Sequence, residues 1–272
     1  MTQPTNTFDT FDAVGNREDL TDIIWNISPT ETPFMNGGGR VEVTNTLHEW
    51  QTDSLAAAST GNRRIQGDDK TGAALTATTR AQNRTQISDK TVVVSGTQRA
   101  VDPAGRADEL AYQVTKAGQE VKRDMEKIIT GNQAIATGNS TSASALRSLE
   151  SWYTTNTSRG TSGANGSTTA AATDGDQRDL TESLVKDVIQ QVFTAGGNPN
   201  TLMSGAVNKQ KISGFAGNAT RFDDSKDKML VTAIDMYVSD FGTLRVIPNR
   251  FQRERTVHVL DMDFWATGFL RS

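Results

Sequence analysis

Two histidines, three acidic clusters, one Asp-Phe-Gly triplet and a short arginine run are the residues of this chain equipped to do chemistry. His48 and His258 stand about 210 positions apart. A hydrolase triad needs one of them beside a nucleophile and an acidic orienter, and no Gly-x-Ser-x-Gly elbow is present. Each histidine therefore reads as a strand residue that packs or hydrogen-bonds locally. Asp240-Phe241-Gly242 matches the metal-binding triplet of protein kinases, but the glycine-rich loop, strand lysine and catalytic loop that give it meaning are missing, so it reads as a hairpin turn. Asp68-Asp69, Asp223-Asp224-Asp227 and Asp261-Asp263 lack the ligand spacing and terminal glutamate of a calcium loop and read as solvated turns. No phosphate-binding glycine loop ends in Lys-Ser/Thr. Arg250, Arg253 and Arg255 are diluted by Glu254 and have no accompanying aromatic pattern, which favours salt bridges between subunits over nucleic acid. We assign no catalytic, cofactor-binding or metal-ligating residue and expect no cofactor. The chain does not read as an enzyme.

The elements that carry these residues alternate between compact and extended. Residues 1–20 are polar, with Phe8 and Phe11 in a TFDTFD repeat, and read as an extended arm. Asp19 to Trp25 is a short apolar turn or helix that stops before Pro29. Pro33 opposes its resumption, and Gly37-Gly38-Gly39 permits a change of direction. Arg40 to Ser54 alternates like a strand, with His48 and Trp50 on one face. Residues 56–90 are threonine-rich and poor in large apolar groups, which favours a long two-stranded ribbon that needs a partner surface. From Ala107 to Ile129, Leu110, Ala111, Val114, Ala117, Val121, Met125, Ile128 and Ile129 recur at helical spacing, and Gly131 sits at the C-cap position.

Residues 132–179 are rich in Ser, Thr, Gly and Asn. The cluster Leu146, Leu149, Trp152 and Tyr153 reads as an anchored turn, and 156–176 as a mobile surface loop. Asp179 with Glu182 forms the pattern of a capping box for a helix from about Leu180 to Ala195, ended by Gly196-Gly197 and Pro199. Beyond it lie a strand at Thr201 to Met203, a short helix around Val207 to Ile212, and a hairpin of Met229 to Val238 with Leu244 to Ile247. Thr256 to Leu260 and Phe264 to Leu270 close an α+β chain.

Composition sets outer bounds. The 272 residues suit one large or two moderate domains, yet only 35% are hydrophobic and mean hydropathy is −0.51. Cysteine is absent, which removes disulfides and zinc-thiolate sites. Neither a signal peptide nor a membrane span is expected, so the product reads as soluble and made in cytoplasm. Net charge is −4, unlike a dedicated nucleic-acid binder. Residues 1–54 carry nine acids and two bases, and residues 55–106 eight bases and four acids. That polarity suits pairing of arm and ribbon within one subunit or between neighbours.

The order and spacing of four stretches carry a resemblance. Ser28 to Phe34 reads SPTETPF, and His48 to Leu55 reads HEWQTDSL. Asp240 to Gly242 leads a strand to Arg250, and the chain ends around Leu260 to Arg271. Together they resemble the tailed-bacteriophage major capsid proteins across nearly the whole chain. The resemblance implies a Hong Kong 97-like fold with an N-terminal arm (1–40), a peripheral strand (41–54) and an extended β-ribbon loop (55–95). A peripheral segment with a long spine helix (96–131), an apical domain (132–255) and return strands (256–272) complete it. It implies self-assembly into hexamers and pentamers of an icosahedral head enclosing double-stranded DNA. Portal, scaffold or decoration proteins are the implied partners, with no membrane and assembly in the host bacterial cytoplasm. Relatives continue past the stretch where this chain stops, which implies a closing strand that is short, cleaved or otherwise supplied. Lys70 and Lys90 lie in the ribbon region, but nothing around them identifies lysine–asparagine cross-linking, and none is expected. A nanocompartment shell and a β-rich surface adhesin are the alternatives.

Overall fold

The computed structural model describes residues 24, 26–67, 69, 72, 74–215 and 235–271. The expectations for Phe8, Phe11, the Asp19–Trp25 helix, Asp68, Lys70, Asp223-Asp224-Asp227 and the first half of Met229–Val238 lie outside or largely outside them. The chain divides into two compact units, one of residues 1–30 and 89–121, the other of residues 31–88 and 122–272.

In the first unit, Ser95 caps a short helix α2 (Gly96–Ala100) by accepting the Gln98 N–H at 3.2 Å. A helix earlier in the chain, α1 (Pro33–Gly37), belongs to the second unit. The long helix α3 (Glu109–Ile129) begins where Asp108 accepts the Leu110 N–H at 3.0 Å. Its residues to Val121 fall in the first unit and those from Lys122 in the second. The expected apolar stripe is partly covered along most of its length, less so near its N-terminal end. Val121, Met125, Ile128 and Ile129 are partly buried, whereas Ala111 and Val114 are exposed.

The second unit is built on a four-stranded sheet in the order β5-β6-β4-β7 among the described residues. Its strands are β4 (Thr201–Ser204), β5 (Met236–Ser239), β6 (Gly242–Pro248) and β7 (Val257–Leu260). β4 runs parallel to β6 and antiparallel to β7, and all four of its residues are buried. Because successive side chains leave a strand on opposite faces, Leu202 and Met203 enter different cores. Leu202 joins Val185, Ile189, Ile212, Tyr237, Leu244 and Val246. Met203 joins Phe34, Leu149 and Leu260. β7 was expected among return strands beginning at residue 256, and it lies in the same sheet as β4.

Several local expectations are met, and others are corrected. Helix α5 (Glu182–Thr194) ends in a Schellman arrangement: Gly196 adopts φ +90, with Gly197 N–H on Val192 O and Gly196 N–H on Phe193 O. Its capping box does not form. Thr181 precedes the helix without a side-chain cap, Asp179 pairs with Lys211 at 2.6 Å, and Glu182 pairs with Lys186 at 2.8 Å. Both carboxylates are claimed by cations. Helix α6 (Ala206–Ser213) and the β5–β6 hairpin across Asp240-Phe241 stand where the sequence places them.

The single strand expected over Arg40–Ser54 is two strands. β1 (Gly39–Glu42) pairs in parallel with the last strand, β8 (Ala266–Phe269), and β2 (Leu47–Thr52) pairs antiparallel with β3 (Thr79–Arg84). Asn45 breaks the run by accepting the Thr46 N–H at 2.6 Å through its own side chain. The ribbon is therefore narrower than expected. Its two strands form only the base, and the described residues between 53 and 78 carry no strand. Pro33 starts a helix instead of delaying one, because a first-turn residue needs no N–H donor.

The loop at 156–176 is pinned, not free. Asn132 makes two hydrogen bonds with Ala172 (2.6 and 2.9 Å), Ala164 bridges Thr173, and Asn165 binds Thr157, Arg159 and Thr154. Glycines let the backbones touch: a Cβ on Gly166 would lie 2.6 Å from the Ser151 Cα. Gly166→Ala should lower the stability of the unassembled chain by about 2 kcal/mol through overpacking. Gly118→Ala, in open space on α3, should raise it by about 1 kcal/mol. Urea unfolding of both variants checks the pair, and a wild-type midpoint for Gly166→Ala would remove the claimed close approach.

Candidate functional site

Three clusters of the second unit hold the signature stretches in place. In the first, the SPTETPF stretch ends in α1, whose opening N–H groups have no partner within so short a helix. A remote carboxylate supplies one. Glu126 of α3 accepts the Phe34 N–H at 2.8 Å and the Met35 N–H at 3.0 Å. It also accepts the Asn249 side-chain N–H at 2.7 Å. Phe34 stands edge-on to Trp265 with centroids 6.0 Å apart, and Gly39 N–H donates to Trp265 O at 2.9 Å. A Cβ on Gly38 would meet Trp265 O at 3.2 Å, so the glycines serve close approach here and not a left-handed turn. Glu126 is fully buried. Burial raises its carboxyl above the usual range, against the opposing pull of the Phe34, Met35 and Asn249 donors and of the Lys122 charge.

In the second cluster, His48 and Trp50 share one face of β2 and build an aromatic column. His48 lies on Trp50 (5.7 Å), Trp50 on Trp152 (5.6 Å), and the Arg147 guanidinium caps Trp152 at 4.1 Å. Trp152 comes from α4 (Leu149–Trp152). Asn83 of β3 exchanges hydrogen bonds with the Arg147 backbone at 2.8 and 3.3 Å, and Ser144 reaches Thr85 O at 3.0 Å. The base of the ribbon is thereby fastened to residues 144–152.

The third cluster corrects the reading of the arginine run, whose ion pairs are made within the chain. Arg253 binds Glu150 at 2.6 Å and also Asp174, and Arg255 binds Asp174 at 3.0 Å. Arg250 is exposed. Hydrogen bonding to Arg253 holds the Asp174 carboxyl below its ordinary range, while burial raises that of Glu150. Beside them His258 is buried, with Nδ1 3.2 Å from the Tyr153 hydroxyl. Burial, aided by the Arg253 and Arg159 charges, lowers its pKa to about 3.

The structure does not bring the two histidines together: His48 belongs to the aromatic column and His258 to the ion-pair network. Among the described residues, no group of three His, Asp or Glu is placed to hold a metal ion. No helix among them is long and apolar enough to cross a membrane. Sequence reasoning passed over Glu126, Asn249, Glu150, Asp174 and Arg147. Glu126 had left a trace as an acid directly beside Met125 in the apolar stripe. Asn249, Glu150 and Asp174 had none, since Asn249 reaches Glu126 across 123 positions and the two acids reach Arg253 across 103 and 79. Arg147 meets Trp152 and Ser151 only a turn away, but no charge pattern marked it.

The fold is mixed α and β, with its extended segments rooted by these clusters and no convergent catalytic set among the described residues. Residues 3–272 match the family described as SU10 major capsid protein, and the chain belongs to that family. It is similar to the major capsid protein of Escherichia phage Phieco32, with 37% identity over 134 residues. That alignment covers 49% of this chain and 38% of the phage protein.

Two predictions follow from the buried groups. Glu126→Ala strands three buried donors and should cost about 3 kcal/mol in urea unfolding, and Glu126→Gln, which keeps one oxygen acceptor, about half as much. His258 has a native pKa below its unfolded value near 6.5, so the unfolded chain takes up a proton that the native chain refuses. Stability should fall as pH drops from about 6.5 toward 3, by up to about 1.4 kcal/mol per unit. His258→Gln should flatten that slope in pH-dependent denaturation, and an unchanged slope would contradict the buried neutral state.

Proposed function

We propose that this chain is the repeating subunit of an icosahedral phage head with the Hong Kong 97-like fold, assembled as hexamers and pentamers around double-stranded DNA. The observation that carries the reading is the segment between β2 and β3. Leu55, Ile65 and Leu75 are 99%, 79% and 98% exposed on chain that has no core of its own. Burying such a side chain is worth about 1.5–3 kcal/mol, so the segment gains by lying on another copy. On this reading residues 53–78 are the extended loop, α3 the spine helix and the four-stranded sheet the apical part. β1 with β8 serves as peripheral sheet. The family assignment supports a capsid subunit, and the low net charge suits DNA that is contained without sequence-specific grip.

The subunit has no enzymatic role in this proposal. Portal, scaffold or decoration proteins are its heterologous partners, and assembly takes place in the host bacterial cytoplasm. On this reading the arm proper is residues 1–30, since residues 31–42 belong to the second unit, where Glu126 and β8 hold them.

Electron microscopy of the full chain after size-exclusion chromatography should show hollow shells or capsomer rings, with and without added scaffold. Only monomers under both conditions would overturn the reading. Deleting residues 1–30 should leave the second unit folded and prevent shell closure. Deleting residues 1–40 should instead yield aggregating protein, since it removes α1 and the start of β1. Normal particles from the shorter deletion would show that the arm is dispensable.

A further inference from the structure

Arg147 retains only 6% of its surface, yet none of the described carboxylates pairs with it. Its guanidinium carbon stands over the Trp152 ring, 4.1 Å from the centroid, and Nη2 donates to Ser151 O at 2.6 Å. Nε is closed off from solvent without an acceptor. Burial weakens its hold on the proton, with no acid acting in the other direction. The nearby acids are committed elsewhere: Glu150 to Arg253 and Thr256, Asp174 to Arg253 and Arg255. Arg253 is the useful contrast, a less buried arginine that holds two carboxylates.

A desolvated cation left with one carbonyl acceptor is costly, and a fold that keeps one has normally provided its anion. Here the group is also held rigid. Asn83 and Trp152 bind the Arg147 backbone, and Trp152, itself held against Trp50, backs the guanidinium. A stacked guanidinium offers its N–H edge in the plane, the geometry that a carboxylate fork accepts.

We propose that Arg147 is half of an ion pair whose carboxylate comes from a second copy of this chain, so that the site is complete only between assembled subunits. This rests on the shell reading above. The chain has carboxylates to give: residues 9–31 alone carry six acids against one arginine. A phosphate backbone would call for several cations in a row, and Arg147 stands in a column of aromatic rings.

The test uses the full chain with Arg147→Met, which keeps an apolar stem, and Arg147→Lys, which keeps the charge without the fork. Arg147→Met should unfold in urea at or above the wild-type midpoint, and should raise the subunit concentration needed for shell formation by about tenfold or more. Arg147→Lys should fall between. A high-resolution map of the wild-type particle should place a carboxylate of a neighbouring copy within about 4 Å of the guanidinium. Arg147→Met shells forming at the wild-type threshold would overturn the proposal. So would a phosphate, solvent alone or a same-chain carboxylate at Arg147 in the map. Should Arg147→Met fail to fold, the wild-type map decides. Wild-type chain that forms no particle under any condition overturns the shell reading itself, whereas wild-type particles with an unaffected variant overturn the ion pair alone.

Discussion

The second unit depends on one buried carboxylate. Glu126 stands where α3, α1 and the loop after β6 converge, and its two oxygens satisfy two backbone donors and one side-chain donor. A helix as short as α1 has no intrinsic stability in water, so its presence follows from this anchoring and from Phe34 in the core. Once α1 is placed, Gly38 and Gly39 run closely along Trp265, and β1 is delivered to β8 in register from Gly39↔Ala266 to Glu42↔Phe269. A parallel two-stranded pair is weak alone. It persists because both of its ends are set by the packing around Glu126 and Trp265.

From that anchor the chain separates what must be rigid from what must be free to meet a neighbour. β4 joins two cores through the alternation of Leu202 and Met203, and the glycine-lined contacts of 156–176 bind a polar loop down with backbone hydrogen bonds instead of apolar area. The aromatic column does the corresponding work for the ribbon, setting its base on α4. What leaves these fixed points is chain with exposed leucines and isoleucines. A shell subunit needs that combination, since its contact segments must keep their roots while meeting neighbours at slightly different angles.

Much of the local structure was legible in the residues. The α3 periodicity, the Gly196 stop of α5, the hairpin at Asp240-Phe241 and the short helix before Gly214 each depend on neighbours within a few positions, where propensity and backbone geometry act directly. Errors arose where a local rule met a distant partner. Asp179 and Glu182 had the spacing of a capping box, but lysines drew both away. Pro33 was read as a breaker because its anchoring partner lies on another helix. Arg253 and Arg255 were assigned to neighbouring subunits because Glu150 and Asp174 are 103 and about 80 positions distant.

The sequence by itself determined the class of the protein: the order of its signature stretches, the long amphipathic helix, the lack of cysteine and of any complete catalytic motif, and the polar, loop-rich composition of a chain that buries little within itself. Tertiary structure decided which strands pair and which charges are buried. The physical reason is that a strand's partner and a carboxylate's solvation are properties of what packs against them. Glu126 and Glu120 are the same residue on the same helix, yet one is sealed among backbone donors and the other is partly exposed beside Lys116.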